Sequence, residues 1–246
     1  NRVVDTTNFV FPIYPDQHQG TYYLNVKTQD SLQVPLILWD EDSFIKNSML
    51  STALQGIYFG IMIVMVLYNL FIFLSIKELN YLYYSLYISA FIFFQASLQG
   101  VTFEYFWPNN PWWANINIPF FGILSFFFAT FFVRGILNTK LALPRWDQML
   151  RIISYLLFFT LPILLFADYD TGIHIALFNA FSFFTLVLII GILAALKGDR
   201  TAKIFIIAWF IFITTGIITL LGMTHLLPIE YGKQAAVQVG SALEVI

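Results

Sequence analysis

Residues 51–76 read STALQGIYFGIMIVMVLYNLFIFLSI, and no Asp, Glu, Lys or Arg interrupts them. A bilayer's hydrocarbon core, about 30 Å thick, is crossed by roughly 20 apolar residues in a helix. This stretch is long enough to cross, and a helix buried in a soluble protein rarely runs so far without an amphipathic stripe. Its reading as a transmembrane helix decides the class of the whole chain. The same test finds segments at 80–100, 115–137, 148–167, 172–196 and 202–223, and a seventh beginning near Gly232. The expected fold is therefore an all-α polytopic membrane bundle of seven helices over residues 50–246.

Composition agrees with that class. Of 246 residues, 59% are hydrophobic and 11% are charged, with a mean hydropathy of +0.76. A soluble domain is about a quarter charged, so this surface cannot face water on all sides, and the lipid bilayer is its first partner. The net charge of −2 comes with no basic tract, which argues against nucleic acid. Cysteine is absent, so disulfides, thiol catalysis and thiolate metal sites are excluded within these residues.

The basic residues set the expected orientation. With residues 1–49 outside, Lys77, Arg134, Lys140, Arg145, Arg151, Lys197, Arg200 and Lys203 all fall at inner helix ends or loops, and only Lys233 falls outside. Glu104, Asp168, Asp170 and Glu230 lie on the outer side. This predicts an outer N-terminus and an inner C-terminus. Trp107, Trp112 and Trp113 in the outer loop VTFEYFWPNNPWW (101–113) suit an interfacial belt, with a ligand-stacking site as the less favoured reading.

Residues 1–49 have a different character. They hold 6 of the 14 acidic residues, and the alternation in TYYLNVKT (21–28), with NFVFPI (8–13) and LQVPLILW (32–39), reads as strands. Pro35 places the last of these at an edge. Three short strands are too few for an independent domain, so they are expected to close a β-sandwich whose earlier strands lie upstream. DEDSFIKN (40–47) reads as a short polar link into the first helix.

AVQVGSALEVI (236–246) poses the sharpest question. If the last helix starts near Gly232, Glu244 lies about 18 Å along it at 1.5 Å per residue, near the bilayer midplane. The helix then reads as cut within the seventh span, with more of the protein expected inside. An ionised carboxylate at that depth costs roughly 2.5–3.5 kcal/mol on insertion scales. Gln234, Gln238, Ser241 and Glu244 share one side of the helix, so they are expected to face the bundle interior. Two roles are open for Glu244: a protonated carboxyl hydrogen-bonded between helices, or a switch element that changes partner.

Other polar and small residues are weighed in the same way. Gly56 and Gly60 form a small-xxx-small face, read as packing within the bundle in preference to dimerisation. Asn69, deep in the first helix, must find a partner, and an interhelical hydrogen bond is expected. Pro162 is read as kinking its helix. Asp168, Asp170, His174, His225 and Glu230 are ligand types gathered at the outer ends, but their spacing matches no metal site and none is assigned. No Ser/His/Asp set or phosphate loop appears, so no catalytic residue and no cofactor is expected in these residues.

VPLILWDEDSF (34–44) followed by GIYFGIMIVMVLYNLFIFLSIKELNYLYYSLYISAFIFFQASLQG (56–100), with the closing QVGSALEVI (238–246), resembles the bacterial seven-transmembrane receptors with diverse intracellular signalling modules. Gly56, Tyr58, Gly60, Tyr68, Asn69, Tyr81, Tyr84 and Gly100 carry most of the resemblance, and Gly240 and Glu244 resemble the pattern of the last helix. The resemblance implies that residues 1–49 end a periplasmic jelly-roll sensor, similar to carbohydrate-binding modules, that takes a sugar or other small ligand. Trp107, Trp112, Trp113, Asp168, Asp170 and His174 are the outer residues available to such a ligand. It further implies a bacterial inner-membrane location and a cytoplasmic histidine kinase, nucleotide cyclase or phosphatase module beyond residue 246. A signal-transducing receptor, working as a homodimer, is the expected function. A solute transporter with an external binding domain is the alternative, weakened by the lack of evident internal repeats.

Overall fold

The computed structural model describes residues 10–13, 23, 25, 36–223 and 233–245. The helices among them, in chain order, are α1 (Glu41–Ile76), α2 (Leu79–Leu98), α3 (Val101–Tyr105), α4 (Pro111–Ile136), α5 (Thr139–Ala142), α6 (Pro144–Leu164), α7 (Tyr169–Leu196), α8 (Arg200–Met223) and α9 (Lys233–Val245). α1, α4 over Trp112–Ile136, α6 and α7 are long and apolar enough to cross a membrane. α1, α2, α4, α6, α7, α8 and the start of α9 lie where the apolar segments were expected. The strands expected at 8–13, 21–28 and 32–39 fall mostly outside the described residues, and no described residue is in a strand.

The polar link expected at 40–47 is instead the start of α1. Asp40 has extended backbone and its carboxylate accepts the Ser43 N–H at 3.0 Å, which satisfies one of the free donors of the first turn. Glu41 and Asp42 follow, where the helix dipole favours acids. α1 therefore runs without interruption for 36 residues. It ends where Lys77, at φ 62°, donates its N–H to the Phe73 carbonyl at 2.7 Å. Gly100, Asn138 and Gly198 have positive φ at the other tight turns, where a left-handed residue ends one helix and permits the next.

α2 and α4 pack along their length. Gly122 leaves room for the Phe94 ring, and Gly135 lets the Asn80 side chain lie against α4. α4 also contacts α6 and α7; α7 leads to α8, α8 to α9, and α9 returns to α1, which packs on α2. The order α1–α2–α4–α7–α8–α9 thus closes a ring, with α6 on its flank against α4 and α7. The main core gathers Met62, Tyr87, Ile88, Val133, Leu150, Phe183, Val187, Ile190 and Trp209, and a smaller one holds Ile116, Ile123, Leu157 and Leu164 between α4 and α6. Pro162 lies in the last turn of α6, with two helical residues after it.

Candidate functional site

α9 has two unlike sides. Val239 and Leu243 are exposed, while Gly240, Ser241, Glu244 and Val245 are buried. Positions 238, 241 and 244 recur every three residues, close to one helical turn, so they line a single face. Gly240 seats that face on α8: a Cβ built there would lie 2.9 Å from Thr215 Cβ and 3.0 Å from its Cγ2, so only glycine permits the approach.

α1 and α2 meet this face with phenols. Tyr87 Oη of α2 donates to Glu244 Oε2 at 3.1 Å. One turn earlier on α2, Tyr84 Oη donates to the Val245 carbonyl at 3.1 Å. Tyr58 Oη of α1 lies 3.0 Å from Ser241 Oγ, which itself donates to the Gln238 carbonyl at 3.1 Å, so the phenol is the donor to the serine. Three tyrosine hydroxyls thus tie α9 to α1 and α2. Tyr84 is held in turn by a stacked Phe132 ring of α4, at 4.4 Å between centroids. Glu244 is 8% exposed, and the ion pairs among the described residues involve Asp147 and Asp170 and not Glu244. Among the described residues, the hydrogen bond its carboxyl accepts comes from the Tyr87 phenol.

The other residues singled out in the sequence are placed as follows. Gln238 is half-buried with its Nε2 unpartnered, as is Nε2 of the buried Gln95 beside Tyr58. Gln234 is in α9, with its side chain outside the described residues. Asn69 is buried, but its Nδ2 donates to the Met65 carbonyl at 2.9 Å within its own helix, which replaces the interhelical bond expected of it. Gly56 and Gly60 are exposed, and a Cβ built on either meets nothing within 4 Å. Packing of this pair within the bundle is corrected: α1 turns Tyr58, Met62 and Asn69 inward, and helical spacing carries the two glycines to the opposite side.

At the far end of the helices, Trp107 and Trp113 fold onto Phe121, and Trp113 also meets Phe120, while Trp112 is exposed. Beneath them Asn117 Nδ2 donates to Thr102 Oγ1 at 3.5 Å, and Thr102 to Ser97 Oγ at 3.1 Å, which fastens α3 between α2 and α4. Asp168 caps α7 by accepting the Thr171 N–H at 3.3 Å. Hydrogen bonds from Thr171 hold its carboxyl below the ordinary carboxylate range. Asp170 and His174 form an exposed pair at 3.7 Å. These acids and the histidine thus have local partners within the first turns of α7.

The sequence reading missed a second polar centre, at the basic end of the bundle. Asp147, 1% exposed, accepts from Arg134 Nε at 2.9 Å and Nη2 at 3.2 Å, from Thr139 Oγ1 at 2.8 Å and from Arg151 Nε at 3.1 Å. It joins the end of α4, α5 and the start of α6. An acid four residues before an arginine, amid inner-end cations, was the available signal.

Comparison with known families supplies what geometry alone does not. Residues 51–246 match the family described as 7TM diverse intracellular signalling, and residues 1–40 match 7TMR-DISM extracellular 2. No curated protein and no solved structure matches the chain. The first match takes in every residue of the tyrosine-bound face and of the Asp147 centre, and the second ends at the residue that caps α1. The chain belongs to the 7TM diverse intracellular signalling family, with part of an extracellular domain ahead of its membrane helices.

Proposed function

We propose that this chain is the membrane relay of a receptor: a change in the extracellular domain enters through α1, shifts α9, and reaches a cytoplasmic effector carried beyond residue 246. The observation that carries this reading is the Tyr58–Ser241 bond, which joins the helix that leaves the extracellular domain to the last helix of the bundle. α1 begins one residue after the extracellular match ends, which supports direct entry of the signal into that helix. The excess of Lys and Arg at one set of helix ends supports an outer N-terminus and an inner C-terminus in a bacterial inner membrane. The effector is a histidine kinase or nucleotide cyclase, the input a sugar or other small periplasmic ligand, and the working unit a homodimer.

The test uses the full-length protein and reads autophosphorylation or cyclic-nucleotide formation. Deleting the extracellular domain should change the output of the parent. A flexible Gly/Ser segment inserted ahead of Asp40 should abolish that sensitivity, leaving output the same with or without the domain. Sensitivity that persists through the flexible segment would overturn the relay through α1. Solute uptake by the reconstituted bundle, with no effector output, would establish a permease instead.

A further inference from the structure

The basic end of the bundle holds more than a structural ion pair. Along the described chain it carries Lys77, Arg134, Lys140, Arg145, Arg151, Lys197, Arg200 and Lys203 against Glu78, Asp147 and Asp199, an excess of five positive charges. Lys197 donates to the Ala142 carbonyl and Lys77 lies over the Phe73 ring, so these two rest on neutral groups of the chain. Arg134 and Arg151 do not. Both bond the same oxygen, Asp147 Oδ2, Arg134 through Nη2 at 3.2 Å and Arg151 through Nη2 at 2.9 Å and Nε at 3.1 Å. Two guanidinium groups therefore share one carboxylate, and one positive charge is left uncompensated between them.

Their orientation is fixed as well. Asp147 is buried and also takes the Thr139 hydroxyl, so it cannot swing away, and it holds the two planar forks in place. Arg134 is 23% exposed and Arg151 50% exposed, and Asp147 engages Nε and Nη2 of each, so their Nη1 donors are not used by it. Such pre-set donors suit a phosphate, whose oxygens accept bidentate guanidinium bonds. The surface beside them is apolar: Ile152, Tyr155, Leu156 and Phe159 are exposed along α6, the helix on the flank of the bundle. A ligand with a phosphate head and hydrocarbon tails matches both parts.

We propose that Arg134 and Arg151, held by Asp147, form a binding site for the phosphate of an anionic phospholipid whose acyl chains lie along the exposed face of α6. The site does not depend on the receptor reading, because it rests on α4, α5 and α6 and not on α9. It requires only that these helices span a bilayer. Exposed Gln148, one turn from both Arg145 and Arg151, lies at its edge.

The experiment is native mass spectrometry of the full-length protein released from nanodiscs containing equal amounts of phosphatidylglycerol and phosphatidylcholine. The parent should retain phosphatidylglycerol at several times the level of phosphatidylcholine. Arg151→Gln should reduce that retention several-fold, since it removes one fork and leaves Arg134 to pair with Asp147. Gln148→Glu alters only an exposed position and should weaken retention without touching the buried network. Equal retention of the two lipids, or retention unchanged by both variants, would overturn the site. If millimolar inorganic phosphate displaced the lipid, the arginines would be a free-phosphate site and the lipid assignment would fall.

Discussion

At the scale of single residues, the two buried carboxyls are held in opposite ways. Asp147 is surrounded by cations and hydroxyl, whereas among the described residues Glu244 has one phenol. Removing one partner of a buried pair costs more than the pair contributes, because the survivor is left bare. Tyr87→Phe should therefore destabilise the bundle by about 1–3 kcal/mol, read as a lower unfolding temperature in detergent. Combining it with Glu244→Leu should recover most of that loss, since both polar groups are then gone. Additive losses in that cycle would mean the bond contributes nothing. Asp147→Ala should be harsher, by roughly 3 kcal/mol or more, since it strands two guanidinium groups beside one another. Glu244 was legible in the sequence because an acid in an apolar helix stands out. Its phenolic partners were not, because a tyrosine reads equally well as a core, interface or hydrogen-bonding residue.

At the scale of helices, the spans were legible and their ends less so. Twenty apolar residues announce themselves, but the first seven residues of α1 are polar enough to pass for a linker, and only the Asp40 cap reveals a helix there. That cap makes a pH-dependent prediction. Hydrogen bonds from Ser43, led by its backbone N–H, lower the Asp40 carboxyl below its ordinary value of 3.8. A lowered folded-state value means that the cap's contribution is present above the unfolded value and is lost as pH falls through the folded one. Protection of the Ser43 amide, its exchange rate relative to the unstructured amide at the same pH, should hold above pH 4 and fall below it, and Asp40→Ala should lack that protection at every pH. Orientation about the helix axis was the other blind point. Gly56 and Gly60 are spaced for close packing, yet only the fold reveals that the bundle lies on the other side of α1. Gly56→Leu with Gly60→Leu should leave the unfolding temperature of the monomer unchanged, whereas Gly240→Leu should lower it by an amount corresponding to about 1–3 kcal/mol, because Thr215 blocks the added side chain.

At the scale of the whole molecule, α1 is longer than a membrane is thick. Its 36 residues extend about 54 Å at 1.5 Å per residue, against a hydrocarbon core of about 30 Å. Roughly 24 Å of stiff rod is left over. Pivoted at the membrane surface, a tilt of about 10° would carry its free end sideways by about 4 Å, while the buried part near Tyr58 would move far less. The helix is geared down: a wide, weak displacement outside becomes a short, forceful one inside. Tyr58 lies about 1.5 Å from that pivot and would move by only a few tenths of an ångström, so a tilt turns the phenol against Ser241 and leaves their bond within reach.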